Sequence, residues 1–245
     1  MKHIKLTLLF LTLASSVFTQ SRSSLEFSTL IGNSYRAFSN IPNNSTNDRL
    51  IDSRNLHERK LNYHLELGFN KVLNKSMVLK SGINFSRINY YTSRLTGLRW
   101  PSEHDGNGGW EPDPTLPREM SDRVNYALIG IPLLLKYELN SHRLKPYMEI
   151  GPSLQLLTNA QFIESTNLSS ETTSLTNELN SINIFGRVGV GISYQTSIRT
   201  ELFASAQYRK QLNNLRKIDI VEKLYDYGLN FGMRVKVNSK PSDNS

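Results

Sequence analysis

The chain contains no cysteine, which removes a disulfide framework and a lipoprotein anchor from consideration. Long apolar runs are missing as well. Mean hydropathy is negative, and beyond the N-terminus no segment approaches the roughly 20 apolar residues that a membrane-spanning helix needs. That absence leaves two classes open, a soluble secreted protein and a membrane β-barrel, because barrel strands expose an apolar side chain only at every second position. Basic residues outnumber acidic ones, 29 against 21, for a net charge of +8. They are scattered, with no cluster interleaved with aromatics, which argues against nucleic-acid binding. His57, His104 and His142 fall outside the alternating segments without metal-ligand spacing, and no HExxH pattern or Gly-rich phosphate loop is present. The sequence therefore names no metal, no cofactor and no catalytic residue.

The N-terminus reads as an export signal. Lys2, His3 and Lys5 precede the apolar stretch Leu6 to Ala14 and then Ser15 and Ser16, a run too short to span a bilayer. Cleavage is expected between Thr19 and Gln20. The chain then divides into a signal peptide at 1–19, one β domain at 20–238 and a polar tail at 239–245.

The domain is written in period-2 alternation, which gives a strand two differently solvated faces. Leu61, Tyr63, Leu65, Leu67 and Phe69 oppose Asn62, His64, Glu66, Gly68 and Asn70. Ile182 to Tyr194 repeats the pattern with Arg187 on the polar side, and Tyr225 to Val237 repeats it with Asp226 and Arg234 there. Five noisier segments run from about Leu25 to Tyr35, Val78 to Tyr91, Val124 to Leu139, Lys145 to Thr158 and Ile198 to Leu212. The fourth strand is apolar on both faces around Ile131 to Leu135, so parity leaves its facing open.

Eight strands with alternately long and short connections predict an all-β, antiparallel, up-and-down transmembrane barrel with long outer loops and short periplasmic turns. The facing follows from what the minor face contains. It is rich in Gly, Asn, Ser and charged groups and lacks the volume to fill a dry core. The apolar face ends in aromatics, Tyr63, Phe69, Tyr91, Tyr137, Tyr194, Tyr208 and Tyr225, as lipid-facing girdles do. The expected location is the outer membrane after signal-peptide cleavage, with outer-membrane lipid and lipopolysaccharide as the first partners, since a basic surface complements lipid phosphates.

Long connections fall at about Arg36 to Lys60, Thr92 to Arg123, Asn159 to Ser181 and Asn213 to Val221. The second carries Trp100 and Trp110 among Pro101, Pro112, Pro114 and Pro117. Exposed aromatics anchor recognition, so these two tryptophans are candidate recognition residues; the competing reading is a loop closed by its own Trp packing. The third is Ser/Thr/Asn-rich and reads as a flexible loop.

Ile131-Pro132-Leu133-Leu134-Leu135-Lys136-Tyr137, followed by Lys145-Pro146-Tyr147 and Gly151-Pro152-Ser153-Leu154, resembles the PorT-like porin group, outer-membrane β-barrel proteins of Bacteroidota. The resemblance implies a small outer-membrane barrel and, through the member that gives the group its name, raises a component of an envelope secretion or assembly complex with envelope protein partners. The chain departs from such barrels in running past Val237 into a polar tail rather than ending on an aromatic.

On the inferred inner face lie His64, Glu66, Glu149, Arg187, Glu201, Arg209, Asp226 and Arg234. Buried charges must pair or be solvated, so these eight predict an interior polar network that fills an eight-stranded lumen. The sequence favours a structural or interaction role, with loops on display and at most a narrow solute passage. A lipid-A-modifying enzyme is the further alternative, resting on His64, Glu66 and a serine such as Ser205 or Ser153.

Overall fold

The alternating segments form strands because each pairs on both sides, and in the computed structural model they close into a ring. The structure describes residues 23–39, 57–59, 61–92, 94–103, 109–139, 143–217 and 221–237; the expected signal peptide at 1–19 and the expected polar tail at 239–245 lie outside these. Eight long strands carry the barrel. They are β1 (Ser23–Ser39), β2 (Leu61–Val72), β3 (Met77–Thr92), β4 (Glu119–Glu138), β5 (Leu144–Thr166), β6 (Ile182–Gln195), β7 (Thr200–Gln211) and β8 (Val221–Lys236). Each pairs antiparallel with the next. The ring closes between β1 and β8, from Ser24 opposite Lys236 to Ser39 opposite Val221. Closure leaves no edge among the barrel strands, the condition for a sheet in lipid.

The barrel is inside-out relative to a soluble fold. Ile83, Ile150 and Val190 are 62%, 60% and 61% exposed, and similar apolar residues girdle the outside on all eight strands. A soluble monomer rarely exposes more than roughly 300–600 Å² of contiguous apolar surface, so this belt demands a lipid solvent. Inside, Glu26, Lys80, Lys136, Arg187 and Asp226 are buried. The facing of β4 is resolved the same way: Ile129, Ile131, Leu133 and Leu135 point outward, while Leu134 and Lys136 are buried within.

Backbone closeness replaces side-chain volume at the closing seam. Gly32 and Gly228 stand opposite each other across the closing seam. A Cβ at Gly32 would meet the Tyr227 carbonyl oxygen at 2.1 Å, and one at Gly228 would meet that of Ile31 at 2.3 Å.

Three expectations need correction. Asn159 to Thr166 is not flexible loop but the outer part of β5, paired with β4 back to Met120 and with a short strand, Ser170–Ser174. The Ser/Thr content hides this because the segment gains its order from partners on both sides. His57 lies in a three-residue strand, His57–Arg59, against Tyr90 to Thr92; His104 and His142 are outside the described residues. The inner face also carries large apolar groups, singly lower down at Leu134, Tyr147 and Phe203 and as a cluster at the outer end. There Ile88, Tyr90, Val124, Tyr126, Leu128, Leu157, Phe185 and Leu224 pack with Leu179 and Leu215 from the outer loops.

Candidate functional site

The interior begins at the short-turn end with a chain of alternating charges. Lys145 and Lys236 lie 3.0 Å and 3.4 Å from Glu201. Arg234 donates to Glu201 at 2.9 Å and Glu138 at 3.0 Å, and reaches Glu26 at 3.2 Å. Lys80 sits between Glu26 and Glu66, 2.5 Å from each. Arg187 then donates to Glu66 at 2.5 Å and to Glu149 at 2.9 Å, and Gln207 also donates to Glu149 at 2.8 Å. Lumen aromatics cover the cations: the Lys136 ammonium lies 3.6 Å from the Tyr147 ring centre, and the Arg234 guanidinium 5.8 Å from that of Phe203. Each ion meets an opposite charge, which is how charge is carried in a low-dielectric interior.

Above this chain is a second unit. Arg209 forks onto Asp226 through Nε at 2.7 Å and Nη2 at 2.9 Å. The same Nη2 lies 2.7 Å from Nδ1 and 2.8 Å from Nε2 of His64, whose Nε2 is 3.8 Å from Asp226. Between the two units is a cavity of about 10 Å³, lined by residues that include His64, Glu66, Asn84, Arg187 and Asn230. That is room for about one water molecule, not for a solute.

A third unit joins the apolar cluster to the outer loops. Glu222 accepts from Arg216 at 2.6 Å, Tyr126 at 3.2 Å and Arg36 at 3.3 Å. Asn180 stitches the third and fourth outer loops together, its backbone N–H donating to Leu215 and its side chain to the carbonyls of Asn214 and Arg216. Leu179 and Leu215 are thereby held, fully buried, in the barrel mouth.

All eight residues singled out from parity occupy the interior, in two groups. Glu66, Glu149, Arg187, Glu201 and Arg234 belong to the lower chain; His64, Arg209 and Asp226 form the upper unit. His64 and Glu66 are not partners: Glu66 is engaged by Lys80 and Arg187. Ser205 receives a hydrogen bond from Gln207 and Ser153 one from Gln155. Sequence reasoning missed Glu26, Lys80, Lys136 and Glu138, which tie the lower chain together. Their signal was available, since Glu26 stands between outward Leu25 and Phe27, and Lys136 between Leu135 and Tyr137.

In the second outer loop, Glu103 is the hub. Arg118 grips its carboxylate with both terminal nitrogens, and the backbone N–H groups of Trp100 and Asp113 donate to it at 2.9 Å and 2.8 Å. The Arg118 hydrogen bonds, with those backbone donors, outweigh desolvation and hold the Glu103 carboxyl down at about 2. The Trp100 indole N–H donates to Pro117 at 2.7 Å, and the Arg99 guanidinium lies 5.2 Å from the Trp110 ring centre. Both candidate recognition tryptophans are half-buried within the loop.

The model of the outer membrane protein β-barrel domain family matches residues 18–217. Among solved structures the chain is similar to neisserial surface protein A, at 13% identity over 87% of this chain and 96% of that one, with a TM-score of 0.44. It is similar also to Ail, the attachment invasion locus protein of Yersinia pestis (12%, 88% and 99%, TM-score 0.36), and to OprG of Pseudomonas aeruginosa (10%, 90% and 98%, TM-score 0.40). No curated protein matches the chain. The closed eight-stranded ring, the lipid-demanding belt and the family match over most of the sequence converge: this chain belongs to the outer membrane protein β-barrel domain family, and its place is the outer membrane.

Proposed function

We propose that this protein is a closed scaffold that displays its outer loops at the cell surface, with no catalytic role and no solute passage of consequence. The observation that carries the reading is the filled interior. An ion-paired chain occupies the membrane zone, and an apolar cluster sealed by Leu179 and Leu215 stops the outer mouth. A conduit would need a continuous polar path, and an eight-stranded barrel has little width to spare for one. Outward of the seal, β4 and β5 continue beyond their neighbours and carry the Ser170–Ser174 strand, a firm base for loops that meet other molecules.

Planar-bilayer recording of the refolded full chain tests this. The expected record has no discrete conductance steps; reproducible steps from the pure protein would reject the closed reading. The PorT-like resemblance at Ile131 to Tyr137 and Lys145 to Leu154 favours an envelope secretion or assembly complex as the setting for the display. Recovery of the same envelope proteins with tagged chain from solubilised membranes is then expected, and a barrel that always isolates alone would count against that setting.

A further inference from the structure

Following β7, β8 and β1 outward along their lipid-facing sides, the side-chain chemistry changes in a fixed order. On β8 it runs Leu229, Tyr227, Tyr225, Lys223; on β7, Ala206, Tyr208, Lys210; on β1, Ile31, Asn33, Tyr35, Ala37. The register sets these side by side. Lys210 and Tyr35 flank Tyr225 directly, and Lys223 stands beside Ala37. Tyr35 and Tyr225 stack, ring centres 4.9 Å apart and 7° from parallel, with Tyr208 6.5 Å from Tyr225 and Tyr227 6.4 Å from Tyr35. The Lys210 ammonium lies 5.4 Å from the centre of the Tyr225 ring. Lys223 is diagonal to Lys210, a separation of roughly 7–8 Å between backbones, which brings two long ammonium arms within reach of one anion.

Neither lysine is within ion-pair distance of a carboxylate among the described residues. The nearest acid in sequence, Glu222, points inward and is held by Arg36 and Arg216. The order apolar, phenol, ammonium on β7 and β8 is the order of a phosphorylated lipid at an interface: acyl chain, polar linkage, phosphate; β1 adds the Tyr35 ring beside it. Aromatic rings settle at that depth, and lysines just beyond them are drawn to anionic headgroups.

We propose that the outer rim of β7, β8 and β1 is a binding site for a phosphorylated outer-leaflet glycolipid, its phosphate between Lys210 and Lys223 and its sugar on the Tyr35–Tyr225 stack. The site goes beyond loop display and stands whether or not that reading survives. Because the ligand carries both phosphate and acyl chains, a free phosphate does not satisfy it.

The test uses the refolded full chain in detergent micelles, with bis-phosphorylated lipid A as probe and native mass spectrometry to measure retained lipid. The K210Q/K223Q double variant lowers apparent affinity roughly tenfold or more. Arg87→Gln, which removes an exposed outward cation on β3, leaves it unchanged. Dephosphorylated lipid A binds no better than the double variant binds the intact lipid. Heat-modifiable gel migration verifies that each variant is folded, as expected for changes at lipid-facing positions. Equal retention by the double variant would overturn the site. An equal loss with Arg87→Gln would reduce it to general charge attraction, and displacement of lipid by millimolar inorganic phosphate would overturn the lipid assignment.

Discussion

Arg187 shows what a single residue does in this interior. It reaches from β6 across the lumen to Glu66 on β2 and sideways to Glu149 on β5, so its removal leaves Glu149 with the Gln207 amide and Glu66 with Lys80 alone in a medium that cannot solvate them. Breaking a buried ion pair from one side costs about 3–5 kcal/mol, whereas exchanging all partners for uncharged groups is close to neutral. Arg187→Met is therefore expected to lower unfolding stability in urea by that amount, and the triple change Arg187→Met, Glu66→Gln, Glu149→Gln to recover most of the loss. Triple and single variants of equal stability would show that these ions act independently. Glu103 makes the complementary case outside the membrane. Its carboxyl titrates at about 2 in the folded loop against an ordinary 4.5. A depressed folded pKa stabilises above the unfolded value, and that support is lost as pH falls through the folded one. The second outer loop should thus hold its form down to about pH 4.5 and loosen between there and 2. The chain's two tryptophans both lie in this loop, so intrinsic fluorescence reports it alone: emission stays constant above that window and shifts red within it. In Glu103→Gln the shifted emission is expected already at neutral pH.

At the scale of elements, the seam between β1 and β8 depends on the facing pair Gly32 and Gly228. Gly228→Ala would drive a Cβ to 2.3 Å from the Ile31 carbonyl and 2.7 Å from the Gly32 Cα, both backbone atoms with no rotamer to escape by. Overpacking of this kind costs about 1–3 kcal/mol. A lower thermal midpoint for loss of heat-modifiable migration is expected; an unchanged midpoint would mean that the seam has slack. The strands differ in how plainly they were written. β2, β6 and β8 are legible because polar and apolar positions alternate with few breaks over many residues. β4 is not, since Ile131 to Leu135 is apolar on both faces and only its register with β3 and β5 sends Leu134 inward. Parity also says which residues share a face but not how high they stand in the barrel. Tyr126, Leu128 and Leu224 stand on the inner face and form the apolar seal above its polar part, a height that parity does not report. Glu26 and Lys136 obeyed parity and were still overlooked, because their role depends on partners from distant strands. The Ser170–Ser174 strand carries no alternation of its own and owes its order to pairing with Gln161 to Ser165.

The whole molecule inverts the usual partition: apolar outside, charged within, apolar again at the outer mouth. The inversion is consistent only if lipid surrounds the belt and if the interior charges satisfy one another rather than line a water column. Closure, filling and seal are thus one claim. Because the chain has no cysteine, a single introduced thiol can test it without background. Ser205, on the inner face of β7, is 4% exposed, and Ser205→Cys changes little but reactivity. Thr115→Cys, at an exposed position in the second outer loop, provides the accessible reference. With the folded protein in bilayers and a small, charged thiol reagent, the reference position should react promptly while the position on β7 stays unmodified until the barrel is unfolded by boiling. Comparable rates at the two positions would mean that water and reagent traverse the lumen, and the account of a filled, closed barrel would be wrong.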